Sequence, residues 1–193
     1  MIIHSGDFSL QGTEQEFMNF IEWFSNLKIV SKILVAGNHD FFCENNPKFT
    51  KQLCDSMGIH YLEDSWIPIL DSDGNLFKIH GSPYQPRFFD WAFNLDRNGP
   101  ELAQKWAMIS EDTNILVTHS PAFGKLDLIP SGLHVGCELL AERLPKLPSL
   151  KLHTFGHIHH SYGHSHGLDY QSVNASNCNE RYLPINPPIV VEI

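Results

Sequence analysis

Lys32-Ile33-Leu34-Val35-Ala36-Gly37-Asn38-His39-Asp40 is the stretch that decides the fold. Lys32 to Ala36 reads as a buried strand, because a short apolar run bounded by turn residues is too brief for a helix. Gly37 then lets the chain turn sharply, bringing polar side chains back over the strand end. The same arrangement recurs elsewhere. Met1-Ile2-Ile3 leads into His4-Ser5-Gly6-Asp7, Ile115-Leu116-Val117 into Thr118-His119-Ser120-Pro121, and Leu152 to Phe155 into Gly156-His157-Ile158-His159. In sheets covered by helices, ligands collect beyond the carboxyl ends of strands, because only there do loops from several strands meet. The pattern therefore aims Asp7, Asn38, His119 and the pair His157/His159 at one place.

Helical patterns separate these runs. Thr13-Glu14-Gln15-Glu16 is a capping box with Thr13 as N-cap, and Phe17, Phe20, Ile21, Phe24 and Leu27 then recur at helical spacing. Further helical stretches run near Pro47 to Met57, from Pro100 with a stripe of Leu102, Trp106 and Ile109, and over Cys137 to Leu144 before Pro145. Strand-like segments lie around 60–62, 66–70 and 76–80, with Asp73-Gly74 as a hairpin signal, then 114–118, 150–155 and 189–193. Alternating strands and helices, with no repeat or linker, predict one layered α/β domain over 1–193.

Composition narrows the function classes. The chain has 193 residues and a formal charge of −9, which argues against nucleic acid or an anionic membrane as the main partner. An acidic chain that binds phosphate needs metal ions or a local positive spot to do so. No apolar run approaches the ~20 residues of a membrane span, and no basic leader opens the chain. The cysteines, Cys43, Cys54, Cys137 and Cys178, are widely spaced without a C-x-x-C pair, so a reduced, cytoplasmic setting is expected. The 12 histidines cluster late in the chain, as a polar loop or as metal ligands.

The converging donors are a carboxylate, an amide oxygen and imidazoles, with no thiolate. That set suits catalytic divalent ions such as Mn, Fe, Ni or Zn, and not a closed structural zinc site. Two such ions ~3.5–4 Å apart bind a phosphoryl oxygen, generate hydroxide near neutral pH and stabilise the leaving oxygen.

Gly6-Asp7, Gly37-Asn38-His39-Asp40, Thr118-His119 and Gly156-His157-Ile158-His159 resemble the second to fifth motifs of calcineurin-like metallophosphoesterases. Downstream, His80-Gly81-Ser82-Pro83-Tyr84-Gln85-Pro86, Val135-Gly136-Cys137, Asn174-Ala175-Ser176-Asn177-Cys178 and Asn186-Pro187-Pro188-Ile189 resemble the small metallophosphoesterase-domain subgroup. The resemblance implies two mixed β-sheets packed face to face and flanked by helices. It implies Asp7 as the carboxylate bridging two metals, Asn38, His119 and His157 around the second, and His159 on the first. His39 would be the phosphate contact or proton donor to the leaving oxygen, with Asp40 orienting it. The implied activity is phosphoester hydrolysis by metal-bound hydroxide, favouring a small phosphodiester such as a cyclic nucleotide. It sets neither the oligomeric state nor the metal.

The family's first motif, an Asp-x-His on a preceding strand, occurs nowhere in this sequence. A start assigned too late, a truncation or a naturally short chain would each account for it. Two rivals follow: a catalytically weak or inactive metal- or nucleotide-binding relative, and a phosphomonoesterase or protein phosphatase on the same site. In a naturally short chain, His160, His164 or His166 would be the substitute ligands. For other residues the plain reading is preferred: His4 and His153 as strand-packing groups, His80 and His134 as structural as readily as substrate-facing, Arg87, Arg97 and Arg181 as surface residues before phosphate clamps, and Trp66, Trp91 and Trp106 as core or rim.

Overall fold

The computed structural model describes residues 1–71 and 73–193. The first strand, β1 (Ile2–His4), pairs in parallel with β2 (Lys32–Leu34), which pairs in parallel with β3 (His60–Tyr61). The crossover from β1 to β2 is α1 (Glu14–Ser25). Its capping box is formed in full: the Thr13 hydroxyl accepts from the Glu16 N–H at 3.3 Å, and the Glu16 carboxylate accepts from the Thr13 N–H at 3.0 Å. A short α2 (Phe41–Asn45), not foreseen from the sequence, and α3 (Pro47–Ser56) lead from β2 to β3.

A larger mixed sheet follows the order β10-β11-β9-β8-β5-β4. Its members are β4 (Ser65–Leu70), β5 (Leu76–Ser82), β8 (Ile115–Thr118), β9 (Leu152–Phe155), β10 (Gly163–His166) and β11 (Gln171–Asn174). The central strands run parallel, while β4 and β10 pair antiparallel at the edges. A small pair, β6 (Gln85–Pro86) and β7 (Asn94–Leu95), precedes α4 (Pro100–Ala107), and α5 (Glu138–Arg143) lies between β8 and β9.

Strand periodicity assigns each face. Ile33 and Val35 turn inward to meet Ile79, Ile115, Val117, Leu152 and Val173 of the larger sheet, making the core between the two sheets. Leu34 and Ala36 turn outward and pack under Phe17, Ile21 and Phe24 of α1. On the far side Leu116 packs beneath Leu102 and Trp106 of α4 and Leu140 of α5. Each fully buried large side chain contributes roughly 1.5–3 kcal/mol. The layered order is helices, small sheet, large sheet, helices.

The expected strand over 189–193 does not form. Pro187 and Pro188 donate no main-chain hydrogen bond ahead of it, and Ile189 and Val191 pack against the inter-sheet core without a ladder. Among the described residues β1 stands at the end of its sheet, with no strand on its outer side. Beside it lies a cavity of about 650 Å³, walled by Ile2, Ile3, Leu152, Val173 and Val191 and reaching Asp7, His157 and His159. Among the described residues, no helix is long and apolar enough to cross a membrane.

Candidate metal centre

Asp7, Asn38, His119 and His157 come from separate strand ends and meet. Among the described residues, the ligand atoms of Asp7, His119 and His157 lie within 4.8 Å of one another. His119 Nε2 is 2.8 Å from Asn38 Oδ1 and 3.3 Å from Asp7 Oδ2, and the His119 and His157 rings are 5.0 Å apart. Two tight turns make this approach. Gly6 has φ +96°, and a Cβ there would lie 2.6 Å from the Ala36 carbonyl carbon. A Cβ on Gly37 would stand 2.4 Å from both the main-chain N and Oδ1 of Asp7, and 2.6 Å from His119 Cε1. Asp7 (φ 58°) and His157 (φ 68°) both take the left-handed conformation, which Asp and His tolerate better than most residues.

Hydrogen bonds fix which nitrogen of each histidine is available. His119 Nδ1 lies 2.8 Å from the Ser5 carbonyl, an acceptor only, so it carries the proton and Nε2 is the nitrogen turned toward Asn38 and Asp7. His159 Nδ1 likewise donates to the Asn179 carbonyl at 3.0 Å, leaving Nε2 as the free nitrogen. His159 stands outside the tight trio but lines the same cavity. His39 Nδ1 donates to the Leu10 carbonyl at 2.9 Å, and its ring also lines that cavity.

The electrostatics favour a cation. Burial opposes charge on Asp7, yet His119, His157 and the His39 N–H together hold its carboxyl below the usual range. Burial also opposes charge on His119, but the Asp7 carboxylate, the Ser5 carbonyl and Asp40 together outweigh it and the pKa is raised. Burial, with His119 close by, drops His157 to about 3, so it is a neutral ligand. Acceptors converge on His119 Nε2 without a matching donor, an arrangement that demands a proton or a metal ion. The donor set fits a divalent metal.

Asp40 departs from expectation. Its carboxylate does not hold the His39 ring; it accepts the N–H groups of Asp7 at 2.9 Å, Ser9 at 3.1 Å and Gly37 at 2.7 Å, and the Ser9 hydroxyl at 2.6 Å. Side chains adjacent in sequence point apart here, and the Leu10 carbonyl takes the orienting task. Burial and the Asp7 charge push Asp40 up to about 7.

A profile described as calcineurin-like phosphoesterase matches residues 1–161. The chain belongs to that family. It is 36% identical over its whole length to metallophosphoesterase domain-containing protein 1 of Homo sapiens, of which it spans 64%. It is 30% identical, again over its whole length, to a UPF0046 protein of Caenorhabditis elegans, of which it spans 54%. The solved structure of phosphopantetheinyl hydrolase from Mycobacterium tuberculosis matches 93% of this chain and 79% of its own, with TM-score 0.59 and 14% identity, a likeness of fold. Calcineurin-like phosphoesterases hydrolyse phosphoesters with divalent metals.

The remaining candidates have other partners. His160 Nδ1 lies 3.5 Å from Glu180, and His164 Nε2 pairs with Gln171 at 2.8 Å, so neither joins the trio; the His166 ring lies tilted beside His164, with centroids 4.3 Å apart. Arg87 pairs with Asp96, and Arg97 binds Glu138 and the carbonyls of Val135 and Gly136, so both brace loops. His153 is buried against Thr118, and His4 packs on Phe20. His80 is buried without a ring hydrogen bond, and His134 pairs with buried Asp127. Trp106 is core, Trp66 is exposed on β4, and Trp91 packs on His39 at 4.3 Å. Sequence reasoning missed Tyr182, whose ring lies 5.9 Å from His39 and 5.6 Å from His159.

Proposed function

We propose that this chain hydrolyses a small phosphodiester, such as a cyclic nucleotide, at the cavity where Asp7, His39, His157 and His159 meet. One observation carries the choice of a diester: among the described residues, no lysine or arginine lines that cavity. A monoester dianion gains more than a diester from a side-chain cation that offsets its second charge. A diester carries one negative charge and two organic groups, which suits metal ions set in largely apolar walls.

In this reading Asp7, Asn38, His119 and His157 hold one divalent ion, and Asp7 with His159 contribute to a second. Manganese is the first choice for the assay. When bound, such ions offset the phosphoryl charge and make water a better nucleophile at neutral pH. The chain's own residues do the rest. His39, fixed through its Nδ1–H to the Leu10 carbonyl, presents Nε2 to the substrate and, in its imidazolium form, donates Nε2–H to a phosphate oxygen or to the leaving oxygen. Asp40 ties the Asp7 and Gly37 loops together so that the donors keep their places. All four cysteines are free, in keeping with work in the cytoplasm.

The test compares bis-p-nitrophenyl phosphate with p-nitrophenyl phosphate under Mn2+, using wild type, Asp7→Asn and His119→Ala. Turnover of the diester above the monoester, abolished in both variants, is the expected result; faster monoester turnover would overturn the diester assignment. A second reading, a weak or inactive metal-binding relative, is favoured by His159 standing outside the tight trio. It predicts bound metal with negligible turnover of either substrate.

A further inference from the structure

We propose that Tyr182 is a specificity-determining residue, a wall against which a planar organic group of the substrate stacks. The inference rests on the reading of the cavity as a phosphodiesterase site and names the class of diester it takes: one bearing a nucleobase or aryl group. Tyr182 lines the same cavity as Asp7, His39, His157 and His159. Its ring stands nearly perpendicular to two of those imidazoles, at 77° to His39 and 89° to His159.

A tyrosine placed there for packing alone would be covered, yet Tyr182 is 54% exposed. Its backbone sits at φ 58°, in the left-handed region that an aromatic residue seldom adopts. A turn built on Asn179 holds it there. The Asn179 side-chain oxygen accepts the N–H groups of Arg181 at 2.9 Å and Leu183 at 3.1 Å. Its carbonyl accepts Tyr182 N–H at 2.9 Å, and its own N–H reaches the Leu183 carbonyl at 2.9 Å. That same Asn179 carbonyl fixes His159. One turn thus sets the tautomer of a candidate ligand and stands an aromatic ring beside it. Strain held by such a network, at the mouth of a site, is in keeping with a functional placement. An aromatic face recognises planar rings with little regard to their hydrogen-bonding edges, so the preference concerns planarity and not base identity.

Binding tests this without needing turnover. Mn2+-loaded wild type, Tyr182→Phe and Tyr182→Leu are titrated calorimetrically with 5′-AMP, ribose 5-phosphate and inorganic phosphate. Wild type and the phenylalanine variant are expected to bind 5′-AMP about tenfold tighter than ribose 5-phosphate, and the leucine variant to bring the two within about twofold. A tenfold preference retained by the leucine variant overturns the proposal. So does a wild type that binds inorganic phosphate yet does not distinguish the two ribose compounds, a comparison that depends on no variant folding. If wild type binds none of the three, the product monoester included, the reading of the cavity as a phosphoester site falls, and the wall with it.

Discussion

The carboxylate of Asp40 accepts the main-chain N–H of Asp7 at 2.9 Å, so one acidic residue fixes the backbone that carries another. Since Gly37 N–H binds the same oxygen at 2.7 Å, Asp40 pins two strand-end loops together. Asp40→Asn turns an amide NH2 toward groups that are themselves donors. A stability loss of about 2 kcal/mol in urea unfolding is expected, with weaker Mn2+ binding. A variant of normal stability and metal affinity, with only slower turnover, would return Asp40 to the role of orienting His39.

Gly37→Ala tests the close approach of the loops. The added Cβ would meet the main chain of Asp7 and the ring of His119, and neither is the free end of a flexible chain. Metal content after dialysis should fall by more than half while far-UV circular dichroism keeps its shape. Full metal retention would show that the loops can part without losing the ligands.

Much of this was legible in the sequence, and the limits are instructive. The strand-end motifs and the capping box speak through side chains whose spacing is diagnostic. The partners of His39, His119 and His159 are the carbonyls of Leu10, Ser5 and Asn179, which any residue could supply. Nothing in composition marks a carbonyl as an orienting group. Helix α2 escaped notice because Phe41–Asn45 spans little more than one turn, too short for a periodic signal. Strand β10 carries His and Ser on exposed positions, and β11 buries Ser172 and Asn174 beside Val173, so no apolar alternation announces either.

Metal binding should be strongly pH-dependent. In the metal-free protein His119 has a raised pKa. The proton's contribution to stability is full below the unfolded value of ~6.5 and is lost as pH rises through the folded value. A cation replaces that proton, so Mn2+ loading should release protons and weaken progressively below neutrality. Calorimetry in buffers of different ionisation enthalpy measures the release. Undiminished metal content at pH 4 would contradict His119 as a ligand.

Acid should destabilise the fold through histidines away from the centre as well. Burial lowers His80 to about 4 and His153 to about 3. Between the unfolded value of ~6.5 and these folded values the unfolded chain binds protons that the native state refuses, so stability falls as pH falls. Each contributes at most about 3–5 kcal/mol by this route. His80 has no hydrogen bond to either ring nitrogen. His80→Leu should therefore flatten the pH dependence of the urea midpoint between pH 6.5 and 4, and an unchanged slope would refute the assignment.

The outer rim of β1 has a consequence for how the molecule behaves in company. Among the described residues this rim has no strand partner and borders an apolar cavity, so it offers main-chain hydrogen bonds and apolar contact together. The formal charge of −9 opposes the close approach of two copies. Edges such as this one, and those of β3, β4 and β10, are where copies can meet, so raising the ionic strength, which screens the charge, should favour self-association.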